Sequence, residues 1–138
     1  MTHKATLYHN PSCSKCRTAY SLLEEYNASH PPSEKIDVHF VEYLETPLDA
    51  PKIEEILSML FPNEDKPNPV LMMRTSNKEF GEMQLDKLDP LDASQRQVLI
   101  EAMVKMPSLI ERPIFVKDGR AVIARPPDRL FELLEKEA

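Results

Sequence analysis

The 138-residue sequence has little glycine, few cysteines and no long apolar run. With 2 Gly and neither a GxGxxG nor a GxxxxGKS/T motif, it is a poor candidate for a glycine-rich nucleotide loop. No apolar run approaches the roughly 20 residues that span a bilayer. The N-terminal segment also lacks the apolar core of a signal peptide. We therefore expect a cytoplasmic protein that has no membrane partner.

The charge balance and the cysteine count exclude further classes of protein. Lys and Arg number 17 and Asp and Glu 23, a formal net charge of -6, so broad electrostatic binding to nucleic acid is not expected. Any anion site must be a local cluster of arginines. The 2 Cys, three positions apart, form neither a disulfide framework nor a four-ligand zinc site. We expect no bound metal and no bound cofactor.

Hydrophobic periodicity and turn residues predict the secondary structure. Strands are predicted over residues 5–9, 36–43, 113–116 and 120–124, and Asp118-Gly119 forms a hairpin turn between the last two. Helices are predicted from residue 12 or 13 to about 27, from 46 with Thr46 as cap, over the short segment 70–74, and from 94 to about 105. Ser94 with Gln97 is taken as the capping box of that last segment. Pro126-Pro127 opens a final helix, and residues 75–84 are expected to be an irregular polar segment.

The order of these elements is β-α-β, a helical insert, then β-β-α. It is typical of the thioredoxin-like α/β fold with a mixed four-stranded sheet. At 138 residues the chain is predicted to be one domain with a helical insertion at about 47–106. In this arrangement the turn from the first strand to the first helix carries the chemistry.

Two cysteines occupy that turn, in the segment Cys13-Ser14-Lys15-Cys16-Arg17. A thiol at a helix N-terminus is stabilised as thiolate by the helix dipole and by free N–H groups, which also suit an oxyanion. Positive charge from Lys15, Arg17 and His9 is expected to lower the pKa of Cys13 further. Cys13 is therefore the predicted nucleophile. Cys16 lies one turn further along, where it either resolves an intermediate on Cys13 or simply packs.

Three arginines occupy marked positions. Arg74 ends an apolar segment, whereas Arg112 and Arg125 each precede a proline at the two ends of the predicted hairpin. In a thioredoxin-like fold the residue before the third-strand proline faces the catalytic turn. A planar guanidinium matches the oxygens of a tetrahedral oxyanion. The three arginines, with Arg17, are predicted to bind such an anion beside Cys13.

Five segments in order carry a family resemblance: YHNPSCSKCR, VEYLETP, LMMR, IERPIFV and ARPP. Over about residues 6–134 the chain resembles the glutaredoxin-dependent arsenate reductases, which have a thioredoxin-like fold with an inserted helical region. The resemblance implies that Cys13 attacks arsenate and that His9 tunes the thiol. It also implies that Arg74, Arg112 and Arg125 hold the oxyanion and the arsenic adduct.

The resemblance further implies a reaction that serves arsenic detoxification. The thiolate would displace hydroxide from arsenate, and glutathione, as co-substrate, would attack the cysteinyl-arsenic adduct. A glutaredoxin would then reduce the mixed disulfide, and arsenite would leave. The expected partners are thus arsenate or a similar oxyanion, glutathione and glutaredoxin.

Cys16 departs from the pattern of these reductases, which commonly lack the second cysteine. A CxxC pair at this turn also resembles the Spx-type transcriptional regulators, in which it is a redox switch and the partner is RNA polymerase. A third interpretation is a dithiol-disulfide oxidoreductase. Phosphate has nearly the shape and charge of arsenate, so the residues leave the choice of oxyanion open.

Overall fold

The computed structural model describes residues 3–134. Within them, four strands form one sheet: β1 (His3–His9), β2 (Ile36–Glu42), β3 (Ile114–Lys117) and β4 (Arg120–Ile123). Their order is β2-β1-β3-β4. β1 runs parallel to β2 and antiparallel to β3, and β3 and β4 are antiparallel. The predicted α/β class with a thioredoxin-like mixed sheet of four strands is confirmed.

Helices and short 3-10 turns connect the strands. The α-helices are α1 (Ser14–Ser29), α2 (Ala50–Leu60), α3 (Lys78–Glu82), α4 (Ala93–Lys105) and α5 (Phe131–Leu134). The 3-10 turns are Pro32–Glu34, Pro69–Met72, Leu85–Lys87, Pro107–Leu109 and Pro127–Leu130. Across residues 3–134, none of the helices combines the length and the apolar character that crossing a membrane requires.

The chain divides into two compact units. The first comprises the chain up to Tyr43 and from Arg112 onward, and the second is Leu44–Glu111, which contains the segment 47–106 predicted as helical. In the first unit one face of the sheet is covered by α1 and by the C-terminal helical turns. Its buried residues are Ala5, Leu7, Ile36, Phe115 and Val122 of the strands with Ala19, Leu23, Leu130, Leu133 and Leu134 of the helices. Burial of this apolar surface stabilises the unit that carries the strand-to-helix turn.

The hairpin between β3 and β4 forms at the predicted residues. Asp118 and Gly119 both have positive φ, 53° and 74°, as a two-residue type I′ turn requires. This turn fixes the register in which Lys117 pairs with Arg120 and Ile114 with Ile123. The hairpin thereby places the two Arg-Pro segments next to each other, one before β3 and one after β4.

The second unit is built around α2 and α4. Its buried side chains come from both helices and from the turns beside them: Ile53, Ile56, Leu57, Met72, Met73, Leu99, Ile100, Met103, Leu109 and Ile110. Arg96 of α4 is also buried. It binds both carboxylate oxygens of Glu54 at 2.6 and 2.8 Å and the carbonyl oxygen of Pro67 at 3.1 and 3.2 Å.

For two helices, α2 and α4, the predicted N-cap residue is wrong. The N-cap of α2 is Asp49 rather than Thr46, and its Oδ1 accepts a hydrogen bond from the Lys52 N–H at 2.9 Å. The N-cap of α4 is Asp92, which accepts from the Gln95 N–H at 3.0 Å, while the Ser94 hydroxyl donates to Asp92. A carboxylate caps well and also interacts favourably with the positive end of the helix dipole.

The segment predicted as irregular, residues 75–84, contains the short helix α3, whose Phe80 is buried. At the other end of the chain, the predicted final helix is a 3-10 turn followed by the single turn α5.

The end of α1 is attached to the start of β2 by one side chain. The Nδ2 of Asn27 donates to the carbonyl oxygen of Ile36, and the Ile36 N–H donates to Oδ1 of Asn27, both at 2.8 Å. The helix continues to Ser29, two residues past its predicted end. The pair of bonds fixes one end of α1, whose other end carries the cysteines.

Candidate active site

The loop before α1 places Cys13 at the N-cap of the helix. Its backbone is extended there, with φ −89° and ψ 128°. The loop is held by Asn10, whose carbonyl accepts from the Cys13 N–H at 2.9 Å and whose Oδ1 accepts from the Ser12 N–H at 3.0 Å. An asparagine followed by proline is a local turn-former. The sequence thus builds a fixed turn that presents the Cys13 side chain at the open end of the helix.

The surroundings of Cys13 favour its thiolate over its thiol. Its partial burial favours the neutral thiol, but hydrogen bonds from the Cys16 N–H, the Arg112 guanidinium, the Cys16 thiol and the Lys15 N–H outweigh burial and lower the pKa of Cys13 to about 7. About half of the Cys13 side chains are then thiolate at neutral pH. The thiolate is the nucleophilic form of cysteine.

Cys16 has the opposite character. It is fully buried, and its sulfur accepts a hydrogen bond from the Asn10 N–H at 3.4 Å. Burial, followed by the negative charge of Cys13, raises the pKa of Cys16 to about 11 despite the Asn10 bond. The two neighbouring cysteines therefore differ: one ionises at neutral pH and the other is held as a thiol.

Arg112 connects the loop to the start of β3. Its guanidinium forms hydrogen bonds with the Cys13 sulfur and the Tyr43 hydroxyl, and these interactions outweigh its burial and raise the pKa of Arg112. Within residues 3–134 its buried Nε has no hydrogen-bond partner. The Arg112 guanidinium thus interacts with the Cys13 sulfur while its Nε–H remains available to another acceptor.

Arg125 stands next to Arg112 at the other end of the hairpin. Its Nη1 donates to the Arg112 carbonyl oxygen at 3.0 Å, and the Ala124 N–H donates to the Pro113 carbonyl oxygen at 2.9 Å. The peptide bonds Arg112-Pro113 and Arg125-Pro126 are both cis. The structure thus places Arg125 beside Arg112, which interacts with Cys13; anion binding by these arginines stays a prediction.

His9, at the end of β1, does not supply the positive charge expected of it. It is buried, with its ring edge against Phe40 at 5.6 Å between ring centroids. Burial lowers the pKa of His9 more than the charge of Glu42 raises it, so the imidazole is mainly neutral at pH 7. Its role in tuning the thiol stays a prediction.

The remaining two predicted arginines have other surroundings. Arg17 is exposed on α1, and its Nη1 donates to the Pro11 carbonyl oxygen at 3.1 Å. Arg74 belongs to the second unit, where its Nε lies 3.9 Å from the Glu111 carboxylate. Anion binding by either residue stays a prediction.

An open cleft of about 370 Å³ lies along the exposed side of the cysteine loop. It is lined by His9, Pro11, Arg17, Tyr20, Ser21 and Glu24. The cleft therefore presents one cation and one carboxylate beside an apolar wall.

Comparisons with known proteins identify the family of this chain. Residues 8–133 match the ArsC family. The chain belongs to the ArsC family. An uncharacterised protein of Escherichia coli strain K12, YfgD, is 36% identical over 135 residues, covering 97% of this chain and 99% of the relative. The arsenate reductase of Neisseria meningitidis is 34% identical over 128 residues, covering 93% of this chain and 96% of that protein.

One solved structure and one transcriptional regulator are also similar to this chain. The arsenate reductase from Vibrio cholerae superposes with a TM-score of 0.77 at 32% identity, covering 96% of this chain and 98% of that one. The global transcriptional regulator Spx of Listeria innocua is 30% identical over 133 residues, covering 95% of this chain and 87% of that protein. The predicted resemblance to arsenate reductases, with Spx-type relatives, is confirmed at the level of the family.

Two residues of this ArsC-family site were missed by sequence reasoning. Tyr43 is buried and its hydroxyl interacts with the Arg112 guanidinium. The N–H of Asn10 donates a hydrogen bond to the Cys16 sulfur. Both lie within the quoted segments VEYLETP and YHNPSCSKCR, and those segments were the available signal.

Proposed function

We propose that this ArsC-family chain is an arsenate reductase of the cytoplasm, with Cys13 as its nucleophile. The observation that carries the proposal is the Cys13 sulfur at the N-terminus of α1, bonded by the Arg112 guanidinium and with its pKa lowered to about 7. A thiolate beside a cation suits attack on an anionic substrate, since the cation offsets the repulsion between the two negative charges.

The first step forms a bond between sulfur and arsenic. The Cys13 thiolate attacks arsenic(V), and an arsenate oxygen leaves as hydroxide, which takes up a proton. The arsenate oxygens accept a hydrogen bond from the uncommitted Nε of Arg112 and are attracted by the positive end of the α1 dipole. Arg125 and Arg17 complete the proposed oxyanion site, and His9 adjusts the thiol as a neutral group.

Glutathione is the proposed source of electrons, with a glutaredoxin regenerating the enzyme. The cleft beside the cysteine loop supports this assignment. Its Arg17 and Glu24 match the carboxylates and the ammonium group of a small anionic tripeptide. Thiol exchange at Cys13 is feasible because its side chain is only partly buried.

The test is a coupled assay with arsenate, glutathione, glutaredoxin and glutathione reductase, followed as NADPH consumption. We expect arsenate-dependent turnover in the wild type and none above background in Cys13→Ser. The matched control is Ser33→Ala, at an exposed serine in the turn Pro32–Glu34, which should keep the wild-type rate. A folded, reduced wild type without arsenate-dependent turnover would contradict the proposal.

The two free cysteines at one helix start and the Spx relative favour a second candidate, a redox-switched regulator. Its test is a pull-down of RNA polymerase by the reduced and the oxidised protein. Binding that changes with the redox state, in a chain inactive on arsenate, would favour this candidate. Reduction of insulin disulfides without glutathione would instead favour a general dithiol oxidoreductase.

A further inference from the structure

We infer that Cys16 is a second reacting thiol, which attacks the Cys13 sulfur once that sulfur is bonded to arsenic and so expels arsenite within a single chain. The inference rests on the proposed arsenate reduction and deepens it. It assigns the release of arsenite to the protein itself. Glutathione and glutaredoxin then act afterwards, on a Cys13–Cys16 disulfide.

The two cysteines are neighbours at the start of one helix, three positions apart, with Cys13 at the N-cap and Cys16 in the first turn. Each affects the ionisation of the other: the Cys16 thiol lowers the pKa of Cys13, and the negative charge of Cys13 raises the pKa of Cys16. Side chains at this spacing have Cβ atoms about 5–6 Å apart, against the roughly 4 Å typical of a disulfide. The backbone of Cys13 at the N-cap is extended rather than helical, although its carbonyl accepts the first helical hydrogen bond, from the Arg17 N–H at 3.0 Å. A rotation of the Cys13 side chain with a small adjustment of this extended residue closes the gap.

The surroundings of Cys16 make its reactivity conditional on the state of Cys13. While Cys13 is a free thiolate, its charge disfavours ionisation of Cys16, and burial acts in the same direction. Bonding to arsenic moves the negative charge from the Cys13 sulfur to the arsenic oxygens, which the arginines hold. The charge of Arg112 favours the Cys16 thiolate and remains in place. Cys16 therefore stays a neutral, unreactive thiol while Cys13 is a free thiolate. It becomes easier to ionise once the Cys13 sulfur is bonded to arsenic.

The step balances without an external reductant. The Cys16 sulfur loses its proton to an oxygen of the arsenic group and forms a bond to the Cys13 sulfur. The bond between Cys13 and arsenic breaks, and its electron pair stays on arsenic, which passes from arsenic(V) to arsenic(III). The two thiols together lose two electrons and become a disulfide.

Burial also determines how the disulfide is reduced. Cys16 is inaccessible to solvent, whereas Cys13 is partly exposed. An external thiolate can therefore reach only the Cys13 sulfur, and its attack returns Cys16 to the thiol state as the leaving group. The mixed disulfide with glutathione forms on Cys13, where glutaredoxin can reach it.

The experiment is a single turnover without any external thiol. Fully reduced wild-type protein, freed of reductant, is mixed with arsenate under argon; arsenite, free thiols and intact mass are then measured. We expect about one arsenite per chain, loss of both thiols and a mass lower by two hydrogens. Cys16→Ser should release no arsenite, and the control Ser33→Ala should behave as the wild type.

Two readouts separate a chemical role of Cys16 from a structural one. Cys16→Ser and Cys16→Ala are checked for folding by circular dichroism and for an intact Cys13 by its alkylation rate. The coupled assay with glutathione and glutaredoxin is run in parallel, and there we expect a rate at least tenfold lower in both variants. The wild-type thiol count needs no variant and decides the question even if both variants fail to fold.

The outcomes distinguish this inference from the function on which it rests. Wild-type turnover with glutathione and glutaredoxin, but no arsenite and no thiol loss in their absence, overturns the role of Cys16 and leaves arsenate reduction intact. No arsenite in either assay overturns both. Arsenite release with the loss of two thiols in wild type alone supports both.

Discussion

Two arginines, the buried Arg96 of the second unit and the partly buried Arg112 of the first, have opposite surroundings. Arg96 binds both oxygens of the Glu54 carboxylate and the Pro67 carbonyl oxygen, so its charge and donors are committed. Arg112 contacts a thiol and a phenol and has an unpartnered Nε. A buried cation with a carboxylate partner is structural, whereas one whose partners are weak acids retains charge for a ligand. On this comparison we expect Arg112 rather than Arg96 to take part in anion binding.

The largest expected effect is on catalysis. Arg112→Lys keeps a positive charge but loses the planar fork of donors, so arsenate turnover should fall by about a hundredfold or more, the usual cost of one anion-stabilising donor. The measurement is kcat/KM for arsenate in the coupled assay. Arg96→Lys, the matched change in the other unit, should stay within about twofold of the wild type. Equal losses in the two variants would remove the distinction.

A smaller effect is expected on the free energy of unfolding. Here the loss of Arg96, rather than of Arg112, should be the change that matters. Arg96→Leu leaves the Glu54 carboxylate without its partner. Since that side chain is 40% exposed, we expect a cost of about 2 kcal/mol, below the usual range for a fully buried pair. Urea unfolding at neutral pH measures it. The difference from wild type should shrink as the pH falls, because Arg96 lowers the pKa of Glu54 and this stabilisation is lost on protonation. A pH-independent difference would argue against the ion pair as its source.

The smallest effect concerns the ionisation of Cys13. The rate of alkylation by iodoacetamide should rise with a midpoint near pH 7 in the wild type, in line with the lowered pKa of Cys13. Arg112→Gln removes a bond that favours the thiolate, so the midpoint should move to higher pH. Arg96→Gln should leave it unchanged. An unshifted profile in Arg112→Gln would mean that the helix N–H groups alone set the acidity of the thiol.

Local signals explain why much of the fold was predictable. The strand pattern of residues 36–43 and the Asp118-Gly119 hairpin turn each lie within a few residues, and each predicts the right element. The two wrong helix caps arose where several capping residues compete within a short stretch, as with Thr46 and Asp49. The five-residue α3 contains a glycine and one buried apolar residue, Phe80, too little for periodicity to detect.

The site was predictable only in part, because local patterns are visible in the sequence and long-range contacts are not. Cys13 and Cys16 are recognised because they follow a strand and open a helix, and Arg112 and Arg125 because both precede proline beside one hairpin. The contact of Arg112 with Tyr43 joins residues far apart in sequence, and no local pattern encodes it. The lowered pKa of His9 follows from its burial, which a charge count along the sequence does not contain.

The side chain of Asn27 affects whether another copy of the protein can pair with the edge of the sheet. β2 lies at the edge of the sheet, and an open edge is a template on which another chain can add a strand. The Asn27 amide supplies both the donor and the acceptor that an added strand would offer to Ile36. The beginning of this edge is therefore closed to intermolecular pairing by a single side chain, which protects the sheet against aggregation where α1 ends.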